Sequence, residues 1–271
     1  MKLLFLVIAI LFITPLFSQY YYNDIIANYQ SNQQYQLLKS NKVKKVSVNS
    51  FDADNTVLQG LSLTQEFTSD YSALSTIDST STVNTFYENN KVKHISSITK
   101  GIETMTDYLY DNKGKLHIIN STSTDTALKT DATEMHIWEY NATGGPDYML
   151  KIKNKTDTAR IELICDAEGN VIEEHWKKKN ISLETYYYYY NDKKLLTDIV
   201  RFNKRAQKLL PDFLFEYDDT NNRVKQMVQV PTGTSNYLVW NYSYNEKGLR
   251  IQEICLNKQK QVVGKVVYTY R

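Results

Sequence analysis

Apolar and polar residues alternate along most of the chain, and a short helical pattern precedes this alternation. Between Asp24 and Lys39 the apolar residues recur at helical spacing, which predicts one short amphipathic helix that Asp24 can cap. Its apolar face is expected to contain Ile25, Ile26, Tyr29, Leu37 and Leu38, interrupted by Gln33. From Val43 onward the period becomes two, the spacing of a strand with one buried face. We therefore expect a helical segment over residues 19–41 and a repeat domain of β-structure over residues 42–271.

A short unit recurs through the β-region about every 25 residues. The unit is an aromatic residue, any residue, a second aromatic residue, Asp or Asn, polar residues that often include Gly, and an aliphatic residue. Clear copies are YLYDNKGKL (108–116), WEYNATGG (138–145), LICDAEGNV (163–171), YYYNDKKL (188–195), FEYDDTNNRV (215–224) and YSYNEKGL (242–249). With weaker copies at Phe51 and Tyr87, the residues before the Asp/Asn-like position, which is Glu88 in one copy, are 51, 87, 110, 140, 165, 190, 217 and 244.

Each copy has the composition of a β-hairpin. Aromatic residues two apart share one face of a strand, Asp or Asn with Gly forms a tight turn, and the aliphatic residue begins the returning strand. Eight copies predict about sixteen strands. The predicted fold is all-β, an antiparallel meander of repeated β-hairpins in an extended, twisted or partly curled sheet, with one short N-terminal helix. The Ser/Thr-rich stretches 62–85 and 120–133 coincide with the longest spacings and predict enlarged loops.

The aromatic-x-Tyr-Asp-x-x-Gly-x-Leu pattern resembles the tyrosine–aspartate (YD) repeats of bacterial Rhs-type proteins over about residues 51–271. The match is closest at Tyr108–Leu116 and weaker where Cys165 replaces Tyr. In that family the repeats build an antiparallel sheet that spirals into a shell around a toxic cargo. This chain is too short to close such a shell and lacks the family's Asp-Pro-x-Gly motif, so the resemblance implies the sheet without the encapsulation. The composition is also similar to that of uncharacterised secreted envelope proteins of Bacteroidetes-type bacteria.

The first eighteen residues have the form of a secretory signal peptide. Lys2 supplies a positive charge, residues 3–13 are apolar, and Ser18 precedes the polar Gln19, so cleavage is expected after Ser18. The apolar run is shorter than the roughly 20 residues that span a bilayer, which disfavours an uncleaved anchor. The protein is therefore predicted to be secreted or periplasmic, with no transmembrane segment after cleavage.

Charge and motifs narrow the classes of partner. Lys plus Arg number 32 against 30 Asp plus Glu, and the net charge of +2 gives no reason to expect nucleic acid as a partner. The sequence contains no Walker-type, dinucleotide-binding or G-x-S-x-G motif, and we expect no cofactor. A glycan and an envelope protein both stay open as the partner.

The repeated aromatic residues have two interpretations. As the buried face of the sheet they would stabilise it by about 0.2–1 kcal/mol for each cross-strand pair. As an exposed aromatic platform they would stack on sugar rings or on a partner's apolar surface. The candidate ligand-binding residues are Trp138, Tyr140, Tyr188, Tyr190, Tyr217, Tyr242 and Tyr244. Five consecutive tyrosines, Tyr186–Tyr190, place aromatic rings on both faces and predict an exposed patch there.

Residues that could carry catalysis or bind a metal are scattered. Asp107, Glu139 and Glu216 lie at odd offsets from the repeat positions, which predicts a solvated face and not the paired carboxylates of a glycosidase. The histidines, at positions 94, 117, 136 and 175, are not spaced as metal ligands. We therefore expect no catalytic or metal site and a binding or structural role in the cell envelope. The alternatives are an enzyme that acts on envelope polysaccharide and a truncated relative of an Rhs toxin-shell component.

The two cysteines lie about three repeats apart. In a linear array of strands Cys165 and Cys255 would be roughly 29 Å apart, whereas a disulfide needs Cα atoms within about 7 Å. A bond between them would require the sheet to curl back on itself. Two unpaired thiols are the expectation.

Overall fold

A computed structural model describes residues 20–179, 181–203, 207–231 and 236–271. The predicted signal peptide, residues 1–18, lies outside the described residues. The described residues form an α-helix, α1 (Asn23–Ser40), a short 3-10 helix (Gln59–Leu61) and eighteen β-strands. The strands are β1 (Lys45–Asp52), β2 (Leu63–Phe67), β3 (Ala73–Ile77), β4 (Ser81–Glu88), β5 (Lys91–Thr99), β6 (Ile102–Tyr110), β7 (Leu116–Asp125), β8 (Thr130–Tyr140), β9 (Pro146–Lys153), β10 (Asp157–Cys165), β11 (Val171–Lys178), β12 (Ile181–Tyr190), β13 (Leu196–Asn203), β14 (Lys208–Tyr217), β15 (Val224–Gln229), β16 (Leu238–Tyr244), β17 (Arg250–Leu256) and β18 (Val262–Tyr270).

These strands form one closed barrel. Each strand pairs antiparallel with the next strand in sequence, and β18 pairs back with β1 from Val46–Tyr270 to Asp52–Gly264. The predicted all-β antiparallel meander with one N-terminal helix is confirmed, but the sheet is fully closed and not merely curled. Closure removes both sheet edges, because the first and last strands satisfy each other's backbone groups.

The predicted repeat turns lie at one end of the barrel, which we call the turn end. In the turn after Tyr110, the Asp111 carboxylate accepts the backbone N–H groups of Lys113 (2.9 Å) and Lys115 (2.8 Å). The same pattern, with the side chain accepting N–H groups two and four residues later, recurs at Asp166 and Asn191. These local bonds explain why Asp or Asn follows the aromatic residue in each copy.

The repeat pattern did not predict the hairpin at Phe67, and it grouped the turn after Phe51 with turns at the other end of the barrel. The turn after Phe51 lies at the opposite end of the barrel, because β1 runs away from the turn end. The turn end instead contains a copy after Phe67, in which Asp70 accepts hydrogen bonds from Thr68 Oγ1 (2.8 Å) and Ser72 N (3.0 Å). This turn escaped detection because its acid stands three residues after the aromatic residue and not one. The additional hairpin raises the strand number above the sixteen expected.

The Ser/Thr-rich stretches are strands, so the expectation of enlarged loops over 62–85 and 120–133 is wrong. They supply β2, β3 and much of β4, β7 and β8. Thr has a high strand propensity, and hydroxyl groups pair across neighbouring strands. The Thr104–Ser123 and Thr106–Ser121 oxygen pairs are each 3.0 Å apart on the inner face of β6 and β7.

Helix α1 lies across the turn end of the barrel. Asn28 Nδ2 donates to the Tyr110 hydroxyl at 2.9 Å, and Asn32 Oδ1 accepts the Val92 backbone N–H at 2.9 Å. The buried face is therefore an Asn–Asn–Tyr–Leu stripe, made of Asn28, Asn32, Tyr35 and Leu38. The apolar face predicted from the sequence is wrong for Tyr29, which is 63% exposed. Within the described residues, no helix combines the length and the apolar character needed to cross a membrane.

Two apolar clusters fill the turn end. The first surrounds the C-terminal part of α1, where Tyr35 stacks on Tyr87 with ring centroids 3.8 Å apart and Leu38 is 2% exposed. The second surrounds residues 20–26 and is built on the inner faces of β7 to β14. Its fully buried members include Trp138, Met149, Ile161 and Ile199. The core of the barrel is thus completed by the N-terminal segment, which we define as residues 20–40.

Candidate functional site

The candidate aromatic residues lie on the inner face of the barrel. Trp138 is 0% exposed and Tyr188 is 2% exposed. The other five candidate residues are half-buried: Tyr140, Tyr190, Tyr217, Tyr242 and Tyr244. This placement agrees with the buried-face interpretation, and their contact with a ligand stays a prediction. On the outer face Tyr189 is 47% exposed, as expected for one side of the run Tyr186–Tyr190.

At six positions a tyrosine, the second aromatic residue of the unit, fastens its strand to the preceding hairpin, whereas the Tyr87 hydroxyl is buried without a hydrogen-bond partner. At those six positions the tyrosine hydroxyl donates to the backbone carbonyl at the start of the preceding hairpin's returning strand. The bonds are Tyr110–Val92 (2.7 Å), Tyr140–Leu116 (2.6 Å), Tyr190–Val171 (2.8 Å), Tyr217–Leu196 (2.7 Å), Tyr244–Val224 (2.8 Å) and Tyr270–Arg250 (2.5 Å). Burial raises the pKa of Tyr217 to about 12, so its hydroxyl remains a donor at neutral pH. We call this contact the tyrosine clamp.

A cation makes a second contact between hairpins at the turn end. Lys91 Nζ donates to the Gly114 carbonyl in the next turn and lies 4.8 Å from the Tyr110 ring centroid. Lys115 repeats both contacts one hairpin later, with the Gly144 carbonyl and the Tyr140 ring. Cation–π contact and a charge-assisted hydrogen bond thus explain the basic residue that precedes the aliphatic position in several copies. An alignment of the copies shows a basic residue at this position in several of them, and that signal could have predicted the contact.

A buried carboxylate holds the start of the N-terminal segment. Glu174, on the inner face of β11, accepts the backbone N–H of Tyr21 at 2.7 Å and that of Tyr22 at 2.8 Å. Its other donors are the Tyr188 hydroxyl at 2.6 Å and the Trp176 indole N–H. Burial raises the pKa of Glu174, and these four hydrogen bonds oppose the shift. Because all four donors point at its oxygens, Glu174 serves as an anchor for the segment.

A network of charged side chains holds the first turn of α1. His136 Nδ1 is 2.6 Å from Asp24 Oδ2, and His136 Nε2 is 3.0 Å from Glu134 Oε1. Lys151 Nζ lies 3.0 Å from the same Glu134 oxygen and donates to the Tyr21 hydroxyl at 2.8 Å. This network of side chains joins the N-terminal segment to β8 and β9.

The two carboxylates set the charge state of the histidine. Burial opposes protonation of His136, but Asp24 and Glu134 outweigh burial and raise its pKa to about 9. The hydrogen bond from His136, followed by Lys151, lowers the pKa of Glu134 to about 2. At neutral pH the imidazolium therefore donates to both carboxylates. The sequence could not reveal this contact, because 112 residues separate Asp24 from His136.

The other histidines have separate partners. His94 Nδ1 is 2.7 Å from Asp107, His117 Nδ1 is 2.9 Å from the Trp138 carbonyl, and His175 Nε2 is 2.7 Å from Glu173. In the part of the chain that the structure describes, no group of three or more His, Cys, Asp or Glu side chains is arranged to hold a metal ion.

A second buried carboxylate lies on the inner face of β17. Glu253 Oε1 accepts the Tyr268 hydroxyl at 2.5 Å and Arg250 Nη1 at 2.8 Å. Its Oε2 and the neighbouring Trp240 Nε1 are buried without a hydrogen-bond partner. The ion pair lies within β17, and the Tyr268 hydrogen bond links it to β18, the strand that pairs with β1.

Both cysteines are free thiols. Cys165 stands where other copies have Tyr, and its Sγ lies 3.3 Å from the Pro146 carbonyl at the start of the preceding returning strand. It is thus a weak version of the tyrosine clamp. Burial raises the pKa of Cys255 to about 12, which disfavours the reactive thiolate.

The outer face of the barrel carries ion pairs between neighbouring strands. They include Lys45–Glu66, Lys177–Glu162 and Lys225–Glu216. The side chains of Asp107 and Glu216 are 54% and 61% exposed, which confirms the solvated face predicted from their odd offsets.

The sequence matches no protein-family model. No curated protein matches it. Among solved structures, a porin-like protein from Bacteroides uniformis gives a TM-score of 0.45 at 10% identity, covering 84% of this chain and 96% of that chain. A porin-like protein from Bacteroides vulgatus gives 0.34 at 11% identity, covering 84% and 98%. A chain of the Photorhabdus luminescens Tc holotoxin pore gives 0.19 at 11% identity, covering 87% and 17%. Similarities with TM-scores below 0.5 establish neither a family nor a function for this chain.

Proposed function

We propose that this chain is a non-catalytic protein of the bacterial cell envelope, secreted or periplasmic, with a binding or structural role. The observation that carries the proposal is the use of the inner charged groups. Glu174 and the Asp24–His136 pair hold the N-terminal segment against the inner face of the barrel, which we call the wall. Groups committed to such buried contacts supply rigidity, whereas acid–base catalysis needs a proton-transferring group within reach of a substrate.

We also propose that the hairpins are degenerate YD repeats. Two regular features support this identity: the side-chain-capped turn after the aromatic residue and the tyrosine clamp between consecutive hairpins. The cell-envelope location is supported by the predicted leader over residues 1–18.

A relative of an Rhs toxin-shell component is a second candidate. The observation that favours it is enclosure of polypeptide by the barrel, since buried and partly buried side chains of β7 to β14 surround residues 20–26. Here the enclosed polypeptide belongs to the same chain.

Fractionation of the native host combined with in-cell crosslinking tests the proposal. We expect the processed chain in the periplasm or the medium, crosslinked to an envelope protein or carrying envelope glycan. Purified protein should release no product from envelope polysaccharide. Product release that is abolished by Glu134→Gln would establish the enzymatic alternative, and cytoplasmic retention of the unprocessed chain would contradict the location.

A further inference from the structure

The N-terminal segment occupies the inner wall in the way a bound peptide occupies a receptor. The polar contacts of Tyr21, Tyr22 and Asp24 include residues of β8, β9 and β11 that lie more than 100 positions away in the chain. None of the eighteen strands of the closed ring comes from the segment, because β1 begins at Lys45 and pairs with β2 and β18. The segment can therefore leave the wall without opening the strand ladder.

The wall recognises the backbone at the start of the helix. The two oxygens of Glu174 accept the N–H groups of two consecutive residues, Tyr21 and Tyr22. N–H groups at a helix start lack partners within the helix, and the N-cap residue Tyr22 supplies no side-chain cap. Glu174 therefore caps both N–H groups from the inner face of β11.

The wall also recognises side chains. Asp24 Oδ2 is held by His136 Nδ1 at 2.6 Å and lies 3.3 Å from Trp138 Nε1, so the wall presents a cation and a neutral donor to one acidic residue. The ring of Tyr21 lies 4.7 Å from the Trp176 ring. The ring of Tyr20 lies about 6 Å from the rings of Tyr186, Tyr188 and Phe213.

We propose that the inner wall from β8 to β14 is a peptide-binding site and that residues 20–24 are the ligand it holds in cis. The ligand class is a peptide in which consecutive aromatic residues lead into a helix that has an acidic residue in its first turn. This inference rests on the proposed binding role and gives that role a partner of defined chemistry.

The test makes the cis ligand separable after folding. A specific protease site is inserted between Asn41 and Lys42, where the chain is partly exposed and leaves α1, and the complete chain is folded before it is cut. A bound ligand should stay with the barrel through size-exclusion chromatography after cleavage. Elution of the cut segment apart from an intact barrel would overturn the proposal.

Exchange of the cut segment measures recognition. A fluorescent peptide of residues 20–40 should replace the cut segment, and the same peptide with Asp24→Asn should compete at least tenfold less well. A matched peptide with Tyr29→Ala, altered at an exposed position of the same helix, should compete like the unmodified peptide. Equal competition by all three would overturn the proposal, because the charged contact would then contribute nothing to selection.

These outcomes are independent of the cell-envelope role. Failure of peptide exchange would leave an envelope protein without a peptide site. Cytoplasmic location or polysaccharide cleavage would instead overturn the proposed function while leaving peptide exchange measurable.

Discussion

The two halves of the N-terminal segment are held to the same barrel by different chemistry. Residues 20–24 are bound through a buried carboxylate, an imidazolium ion pair and a lysine. Residues 28–38 are bound through two asparagine amides, a stacked tyrosine pair and a buried leucine. The first half therefore depends on the protonation state of wall residues, whereas the second depends on shape and burial.

Because of this difference, we expect residues 28–38 mainly to stabilise the fold and residues 20–24 mainly to determine which peptide the barrel recognises. Burial of apolar side chains is non-directional, so Tyr35 and Leu38 contribute stability with little chemical discrimination, and only the two neutral asparagine amides of residues 28–38 are directional. Charge-assisted hydrogen bonds are directional and lose their strength when either partner changes. We expect changes in the first half to alter pH dependence and partner choice, and changes in the second half to alter mainly the free energy of unfolding.

The largest expected effect is in the second half of the segment, residues 28–38. Leu38→Ala should lower the free energy of unfolding by about 4 kcal/mol, since Leu38 is 2% exposed and truncation leaves a cavity between helix and wall. Urea denaturation followed by circular dichroism measures the loss. Leu37→Ala, at a neighbouring half-buried position, should cost clearly less. Equal losses would mean that α1 is not seated on this face.

The next largest effect is expected at the barrel residue that binds residues 20–24: Glu174→Gln should lower the free energy of unfolding by about 3 kcal/mol. The amide NH₂ of Gln would face donors that now point at a carboxylate oxygen. Glu173→Gln is the matched control, because that side chain is partly exposed and pairs with His175. Its cost should stay below about 1 kcal/mol. A control as costly as the test variant would rule out a special anchoring role for Glu174.

The ion pair of His136 predicts a pH dependence. Its pKa is about 9 in the folded chain against an ordinary value of 6.5, so folding strengthens proton binding. The resulting stability is fully present below about pH 6.5 and is lost as pH rises through about 9, a change of about 3 kcal/mol. Unfolding measured from pH 6 to 10 should show this decline in the wild type, and His136→Gln should reduce it. Parallel pH profiles for the two proteins would refute the assignment.

The smallest effect is expected at the clamp between hairpins. Tyr217→Phe removes the hydroxyl that donates to the Leu196 carbonyl and should cost about 1 kcal/mol. Tyr189→Phe, on the outer face, should change the unfolding free energy by less than about 0.5 kcal/mol. A reversed order of the two losses would show that the clamp adds no stability.

The sequence predicted the parts of the fold that depend on local chemistry. The turns after Tyr110, Tyr190 and Tyr244 were recognisable because Asp or Asn caps backbone groups only two to four residues away. Strand alternation likewise marks an inner and an outer face, which placed Asp107 outward. The turn after Phe67 was missed because its capping acid is displaced in sequence.

The non-local parts could not be predicted in the same way. Closure depends on β1 meeting β18, a pairing of Val46 with Tyr270 that no repeat pattern specifies. The inner charged site joins Asp24 to His136 and Tyr21 to Glu174, and more than 100 residues separate the two partners of each pair. The asparagine stripe on α1 defeated the apolar pattern because its amides bond to wall residues rather than to water.

The most direct measurement of the central claim is hydrogen exchange of the N-terminal segment, followed by mass spectrometry at pH 7 and pH 10. The account predicts strong protection of the Tyr21 and Tyr22 amides at pH 7. At pH 10, after correction for intrinsic rates, residues 20–24 should lose protection before residues 32–38 do. Exchange of residues 20–24 at the rate of a free peptide at pH 7 would contradict the account, because it would place the segment outside the barrel.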